Sequence, residues 1–387
     1  MTHILLALIY LAFISLGLPD AVLGSAWPTI SQEFNAPLAS MGIISIIISA
    51  GTILSSLQSD RMTQKLGTGT VTILSIFLTA IALLGFARSN SVLSMCLWAI
   101  PYGLGAGSVD AALNNYVAIH YESKHMSWLH CMWGLGATMG PYVMGMALTS
   151  GWGFRTAYYV IFGLQILLTT VLLINKSAWS SKSKEDEGGE ENRKVLTIKE
   201  IVRIKGVPQI MFAFFCFCSI ELTTGMWASS YFVLVHGVNL ELAATYTSLF
   251  YLGITIGRAI SGFITMKYND TQMIRGGELI MCIGMSMVLL SSNTTWAFAG
   301  LLIIGLGSAP VYPCIIHSTP ANFGVSNSQA ITGVQMASAY TGSLLMPSLF
   351  GLIAEYISIH LYAIYLLGLL LVMALMYEWL LRKVKKE

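Results

Sequence analysis

The chain has 387 residues, a formal net charge of +2 and a mean hydropathy of +0.72, and only 10% of its residues are charged. Soluble globular proteins average about 25% charged residues, so this composition excludes an ordinary soluble domain. The near-neutral charge does not indicate a nucleic-acid partner, and we expect none. A lipid bilayer is the expected surrounding, because its hydrocarbon core accepts apolar surface.

Twelve apolar runs follow one another along the chain, and each is long enough to cross a bilayer as a helix. A crossing helix needs about 20 mostly apolar residues, which is far longer than a strand of a membrane barrel. We number the runs span 1 to span 12 and place them near residues 4–29, 38–58, 68–87, 92–116, 127–149, 155–175, 208–234, 242–265, 273–291, 295–316, 328–350 and 355–381. The sequence therefore predicts an all-α membrane protein with twelve transmembrane helices.

The basic residues predict the orientation. If the N-terminus is cytoplasmic, every lysine and arginine except Arg88, Arg155 and Arg258 falls in an inner loop, the central linker or the C-terminal tail. Because inner loops carry an excess of basic residues, we expect a multi-pass protein of the cell (plasma) membrane with both termini in the cytoplasm.

A hydrophilic stretch with the sequence SKSKEDEGGEENRK interrupts the apolar runs. A segment rich in Ser, Gly, Glu and Lys cannot bury apolar area, so it is typical of a flexible linker. It predicts three parts: an N-terminal six-helix bundle over 1–175, a cytoplasmic linker over 176–206 and a C-terminal six-helix bundle over 207–387.

The two halves share spaced residues in the same order. The pattern G-x4-P-x3-G begins at Gly136 in span 5 and at Gly342 in span 11, 206 residues later. Asp20-x3-Gly24 in span 1 matches Glu221-x3-Gly225 in span 7. Parallel six-helix repeats on either side of a central loop are the layout of the major facilitator architecture.

The stretch after span 2, SSLQSDRMTQKLG, resembles the major facilitator signature G-x-x-x-D-R-x-x-x-R/K-x-G. Asp60, Arg61, Lys65 and Gly67 fit this signature, and Ser56 stands where the family has glycine. The stretches GLPDAVLGSAWPTI, GAGSVDAALNNYVAIHY and MSWLHCMWGLGATMGP resemble the fucose/glucose–proton symporter branch. The resemblance implies two pseudo-symmetric six-helix bundles and a small-molecule solute, and we expect a monomer. It also implies that Asp60, Arg61 and Lys65 act in gating.

Three carboxylates lie inside apolar spans: Asp20 in span 1, Asp110 in span 4 and Glu221 in span 7. A charge in hydrocarbon is costly and usually marks function, so we interpret them as candidates for proton coupling. The alternative is a fixed strut, in which a carboxylate is bonded to helix ends or to Arg258. We include Arg258 among the gating candidates.

Polar and aromatic side chains accompany these carboxylates in the spans that line the cavity of the family. Asp110 and Asn114 are four residues apart and share one helix face. A sugar needs hydrogen-bonding partners for its hydroxyls and an aromatic plate for its apolar face. Interhelical hydrogen bonding is the alternative for each amide or histidine. The substrate-binding candidates are Asn114, Asn115, His130, Trp133, Trp227 and Gln335.

The predicted function is proton-coupled uptake of a monosaccharide or similar polyol by alternating access, with the proton as coupling ion and no metal or other cofactor. The alternative is a proton-driven antiporter that exports drugs or metabolites, because the glycine-rich stretch of span 5 resembles the antiporter motif of drug exporters. Tight helix packing explains that stretch equally well. A non-transporting receptor or scaffold would not need buried carboxylates. The chain has no phosphate loop, metal-ligand cluster or G-x-S-x-G, so we do not expect an enzyme.

Overall fold

The predicted spans form helices. The hydrocarbon core of a bilayer offers no hydrogen-bonding partners, and a helix satisfies its backbone polar groups internally. The computed structural model describes residues 2–20, 22–37, 40–179, 196–238, 240–291 and 293–384. In those ranges the predicted spans are helical apart from a few residues at their ends and a break at residues 309–310 in span 10, and the ranges contain no β-strand. The all-α prediction is confirmed.

The helices of the first half follow the predicted order. Span 1 consists of two helices, and the helices of spans 2 and 4 run several residues beyond the predicted ends, because their polar last turns continue past the apolar segment. The bounds are Thr2–Asp20 and Val22–Glu33 for span 1, then Ser40–Leu66, Thr68–Arg88, Val92–His120, Ser123–Thr149 and Gly153–Ile174 for spans 2 to 6.

The second half begins with a short helix, Ile198–Arg203, whose start is closed by a capping box between Thr197 and Glu200. Span 10 is interrupted at Pro310, which has no N–H to continue the helix. Spans 11 and 12 are joined by a π-helical turn and a 3-10 turn. The bounds of spans 7 to 12 are Val207–His236, Leu240–Ile264, Asp270–Leu290, Thr294–Ser308 with Val311–His317, Val325–Ile353 and Tyr362–Val384.

Length and apolar composition agree with membrane crossing. Among the described residues, nine continuous helical stretches are long and apolar enough to span a bilayer, and one of them, Val325–Val384, contains both span 11 and span 12. Span 5 falls outside this set, and span 8 enters only as a shorter apolar stretch, Ser248–Ile264. Together these helices fit a twelve-helix bundle.

The chain divides into two compact units. Unit 1 comprises Met1–Tyr116 and Leu129–Leu196, and unit 2 comprises Val117–Trp128 and Thr197–Glu387. Unit 2 therefore contains one segment of the first half, between spans 4 and 5. Most of the predicted linker, residues 180–195, lies outside the described residues, so the predicted domain boundaries stay a prediction.

The internal repeat recurs in the helix contacts. A Cβ on Gly136 of span 5 would overlap the carbonyl oxygen of Ile14 in span 1. A Cβ on Gly342 of span 11 would lie 2.5 Å from the carbonyl oxygen of Phe215 in span 7. Ile14 and Phe215 are 201 residues apart, the same offset as Asp20 and Glu221. Equivalent glycines therefore bring equivalent helices together in each unit.

A second pair of contacts repeats in the same way. A Cβ on Gly105 of span 4 would lie 2.7 Å from the carbonyl oxygen of Ser75 in span 3. A Cβ on Gly307 of span 10 would lie 2.8 Å from that of Gly277 in span 9. Gly307 follows Gly105 by 202 residues, and Gly277 follows Ser75 by the same 202 residues. The repeat inferred from spaced residues is thus a repeat of packing contacts.

Candidate functional site

Asp20 ends the first helix of span 1 and is held by side chains from two other spans of unit 1. The hydroxyl of Tyr102 in span 4 donates to its Oδ1 at 3.2 Å. The indole Nε1 of Trp133 in span 5 donates to its Oδ2 at 2.9 Å. Asp20 remains exposed in spite of these bonds, because it borders a cavity. Its carboxylate is therefore fixed in direction and open to a ligand.

The cavity beside Asp20 has a volume of about 490 Å³ and is lined by residues of spans 1, 2, 3, 4 and 6. Part of its wall is aromatic. The Phe86 ring stacks on Tyr102 at a centroid distance of 6.0 Å and meets Tyr158 edge-on at 5.7 Å. A carboxylate can accept hydrogen bonds from hydroxyls, and aromatic faces can pack on an apolar ring surface. These three aromatic residues were not among the candidates from the sequence, because no spacing rule relates them to Asp20.

Asp110 and Asn114 lie on one face of span 4, as their spacing predicts. Asn114 Nδ2 donates to Asp110 Oδ1 at 2.8 Å, and Asn114 Oδ1 lies 3.0 Å from Nε2 of His130 in span 5. Because the amide nitrogen already donates to Asp110, the amide oxygen must accept, so His130 carries hydrogen on Nε2. The Phe13 ring packs edge-on against His130 at 5.5 Å. All three polar side chains are buried, as is Asn115.

Span 5 connects the two carboxylate clusters of unit 1. His130 and Trp133 are three residues apart, so they lie on neighbouring positions of one helix face. Through them, one turn of span 5 contacts the Asp110–Asn114 pair and Asp20. A rotation or shift of this turn would change the hydrogen bonding of both carboxylates.

In unit 2 the membrane-embedded carboxylate is paired. Arg258 Nη2 lies 3.3 Å from Glu221 Oε1, and Arg258 is only 4% exposed. This is the strut geometry given above as the alternative to proton coupling. The Tyr251 hydroxyl of span 8 contacts Gly225, which lies one turn after Glu221. A Cβ on Gly225 would overlap this hydroxyl. The coupling role of Glu221 and the gating role of Arg258 stay predictions.

Two further substrate-binding candidates of unit 2 contact neighbouring helices. Trp227 Nε1 donates to the carbonyl oxygen of Pro347 at 2.9 Å and its ring meets Phe350 edge-on. Gln335 is fully buried, and its Oε1 accepts from Thr319 Oγ1 at 3.0 Å. These bonds place both side chains in helix packing, and their part in solute binding stays a prediction.

The gating candidates of the signature stretch differ in burial. Asp60 is buried and accepts a hydrogen bond from Gln64 Nε2 at 3.2 Å, whereas Arg61 and Lys65 are exposed. Ser56, which replaces the signature glycine, donates from Oγ to the carbonyl oxygen of Gly107 in span 4 at 3.2 Å. The serine therefore adds a hydrogen bond between spans 2 and 4. The gating roles stay predictions.

Within the described ranges, no group of three or more His, Cys, Asp or Glu side chains is placed to hold a metal ion. The six cysteines are free thiols. The side chains of the site offer hydrogen-bond donors and acceptors, aromatic rings and carboxylates.

Comparison with known proteins gives matches along the whole chain. The family model of the Major Facilitator Superfamily matches residues 9–334, with a second match over 246–387. The glucose/mannose transporter GlcP of Bacillus subtilis is 23% identical over 356 residues, covering 88% of this chain and 86% of its own.

Solved structures share the fold at low identity. FucP in its outward conformation gives a TM-score of 0.81 at 15% identity, with 98% of both chains covered. A second structure of FucP, described as the fucose:proton symporter of E. coli, gives a TM-score of 0.76 at 14% identity, with 98% of both chains covered. The human organic anion transporter MFSD10 gives a TM-score of 0.77 at 11% identity, covering 97% of this chain and 98% of its own.

Proposed function

The chain belongs to the Major Facilitator Superfamily, and on that premise we propose that it carries a monosaccharide or related polyol together with a proton. Members of this family are membrane transporters rather than enzymes, and this chain is related to sugar symporters. The proposal therefore concerns the solute and the coupling ion.

The site around Asp20 is the observation that carries the proposal. Its carboxylate is oriented by Tyr102 and Trp133 and faces a cavity of about 490 Å³ with aromatic walls. That volume falls within the range of about 300–1,000 Å³ for small-molecule sites. A hydroxyl of a sugar can donate to the carboxylate, and the buried rings of Phe86, Tyr102 and Tyr158 form part of the cavity wall. A fucose:proton symporter and a glucose/mannose transporter among the matches support this solute class.

The proposed proton coupling involves the three membrane-embedded carboxylates, Asp20, Asp110 and Glu221. Proton and solute bind, the protein changes from one access state to the other, and both are released. Asp20 is the first candidate for the proton, since it alone of the three carboxylates borders the cavity described here. The buried pair of Asp110 with Asn114 and the ion pair of Glu221 with Arg258 are candidates for transmitting the change.

The exporter alternative rests on the glycine-rich stretch of span 5. Gly136 and Gly140, which belong to the span 5 stretch that resembles the antiporter motif, pack directly on the backbone of span 1. Close helix packing therefore accounts for these two residues. An organic anion transporter among the structural matches still argues for testing solutes other than sugars.

We also propose a monomer in the cell (plasma) membrane with both termini in the cytoplasm. The orientation is supported by the concentration of basic residues in the loops on one side of the predicted spans. Thiol labelling of single cysteines placed near each terminus, in intact cells and in inverted vesicles, checks the orientation.

The test of function uses purified protein in liposomes that hold a pH-sensitive dye. Sugars are added outside one at a time, with no proton gradient imposed. We expect internal acidification with one sugar, loss of this signal in Asp20→Asn, and an unchanged signal in the control Glu355→Gln, a carboxyl at the turn after span 11 that the mechanism does not use.

Two results contradict the proposal. One is uphill solute transport that survives in the triple variant Asp20→Asn, Asp110→Asn, Glu221→Gln. The other is a proton flux that appears with amphipathic cations and with no sugar, which identifies the exporter.

A further inference from the structure

A cluster in unit 2 joins the start of span 9, the end of span 10 and the connection between spans 4 and 5. His317 Nδ1 lies 2.6 Å from Asp270 Oδ2, and its Nε2 lies 3.1 Å from the main-chain carbonyl oxygen of Tyr121. Ser123 Oγ donates to the other carboxylate oxygen, Asp270 Oδ1, at 2.6 Å. The transport mechanism proposed above does not use these residues.

The contacts determine how many protons the cluster holds. A carbonyl oxygen only accepts, so His317 must donate to Tyr121 from Nε2. The contact of Nδ1 with Asp270 needs a second hydrogen, carried either by the imidazole or by the carboxyl group. In both cases the pair holds one proton more than a neutral imidazole beside an ionised carboxylate. The geometry is therefore that of a proton-loaded pair.

Apart from His125, the other titratable groups around the pair keep one protonation state near neutral pH. Thiols and phenols are ordinarily protonated there, and the Lys124 ammonium, 2.8 Å from Glu122, lowers the pKa of that exposed carboxyl. The His125 ring meets the Tyr121 ring edge-on at 5.7 Å, on the segment itself. The titratable and charged groups that accompany the pair are Cys314 on span 10, Tyr377 on span 12, and Tyr121, Glu122, Lys124 and His125 between spans 4 and 5.

We propose that the Asp270–His317 pair is a second proton-binding site, which in its loaded form holds the segment Val117–Trp128 on unit 2. When the proton leaves, a neutral imidazole has a single N–H, so either the Tyr121 carbonyl oxygen or the Oδ2 atom of Asp270 loses the imidazole as its donor. The segment is then held mainly by Ser123 and by the packing of Trp128 against Gly262 and Phe263.

The direction of the pH effect follows from the extra proton that the loaded pair holds. Low pH loads the pair and keeps the segment in place, and rising pH releases it. The orientation in the proposed function puts this cluster on the cytoplasmic side, and the inference rests on that proposal for the source of the proton. Cytoplasmic acidity would then slow any step of the transport cycle in which the segment must leave unit 2.

The buried thiol of Cys314 is a natural reporter of this release. Its Sγ lies 4.0 Å from Ser123 Oγ and the residue has no exposed surface. Cys216 in span 7 is also buried in unit 2, and it serves as an internal reference for general loosening of the unit. Wild-type protein in lipid nanodiscs is treated with iodoacetamide between about pH 5.5 and 8.5, a range that brackets the ordinary histidine pKa, and the labelling of both peptides is measured by mass spectrometry.

We expect the ratio of Cys314 to Cys216 labelling to rise with pH by on the order of tenfold, as for the loss of one charge-assisted hydrogen bond. In His317→Gln the ratio should be nearly independent of pH, because a glutamine amide does not titrate in this range. The matched control His360→Gln, an exposed histidine of the same unit, should keep the wild-type profile.

A flat ratio in the wild type would overturn the proposal, and so would a His317→Gln variant that retains the full pH dependence. Since labelling requires no solute, either result would leave sugar–proton transport untouched. Conversely, failure of the liposome experiment would not affect the labelling result.

Discussion

Replacement of Gly136 by alanine tests the packing of span 5 on span 1. The added Cβ would overlap the Ile14 carbonyl oxygen and lie 2.9 Å from the Leu18 nitrogen. Carbon atoms in good contact are about 3.5–4.0 Å apart, so the two helices must separate by about 1 Å. Overpacking of this kind costs about 1–3 kcal/mol. For a unit of this size we expect the unfolding temperature to fall by at least about 2 °C.

The same stretch of span 5 supplies the control. A Cβ on Gly134 or Gly145 meets no atom within 4 Å, so alanine there should leave the unfolding temperature of the detergent-solubilised protein unchanged or slightly higher. The reasoning is refuted if Gly136→Ala unfolds at the same temperature as Gly134→Ala. A clear decrease for Gly136→Ala alone establishes a packing role for this part of the stretch.

Three further predictions concern the polar contacts. Glu221→Gln and Arg258→Gln should each destabilise the protein by up to about 3–5 kcal/mol, because each leaves a buried charge without its partner. The double variant should lose less stability than the sum of the two single variants, since it leaves no unpaired charge. Thermal unfolding of all three variants checks this. Trp227→Phe removes the bond to the Pro347 carbonyl and should lower stability by about 1 kcal/mol, measured by thermal unfolding. Trp133→Phe frees one oxygen of the candidate site and should weaken solute binding several-fold, measured by isothermal titration; an affinity equal to that of the wild type would contradict this role.

The elements and the repeat could be predicted from the sequence because they depend on local properties. The length of each apolar run determines whether a helix can cross the bilayer. The four-residue spacing of Asp110 and Asn114 places both on one helix face, where they form a hydrogen bond. The offset between matched glycines indicates a repeat before any contact is known, and the contacts of Gly136 and Gly342 agree with it.

The partners of Asp20 could not be predicted, because they depend on how separate helices are rotated. Tyr102 is 82 residues from Asp20 and Trp133 is 113 residues away. A membrane helix is apolar on most sides, so its sequence pattern does not show which face meets which neighbour. For the same reason the sequence did not show that Trp227 contacts Pro347.

Because of the segment Val117–Trp128, the boundary between the two sequence repeats differs from the boundary between the two compact units. The sequence duplication divides the chain at the linker, but unit 2 includes this piece of the first half. A gene cut at the linker would therefore yield a C-terminal fragment that lacks Trp128, leaving Gly262 and Phe263 uncovered. The two fragments should complement each other when they are produced in the same cell, and the C-terminal fragment alone should be degraded. The boundary between the repeats and the boundary between the compact units therefore lie at different places in the chain.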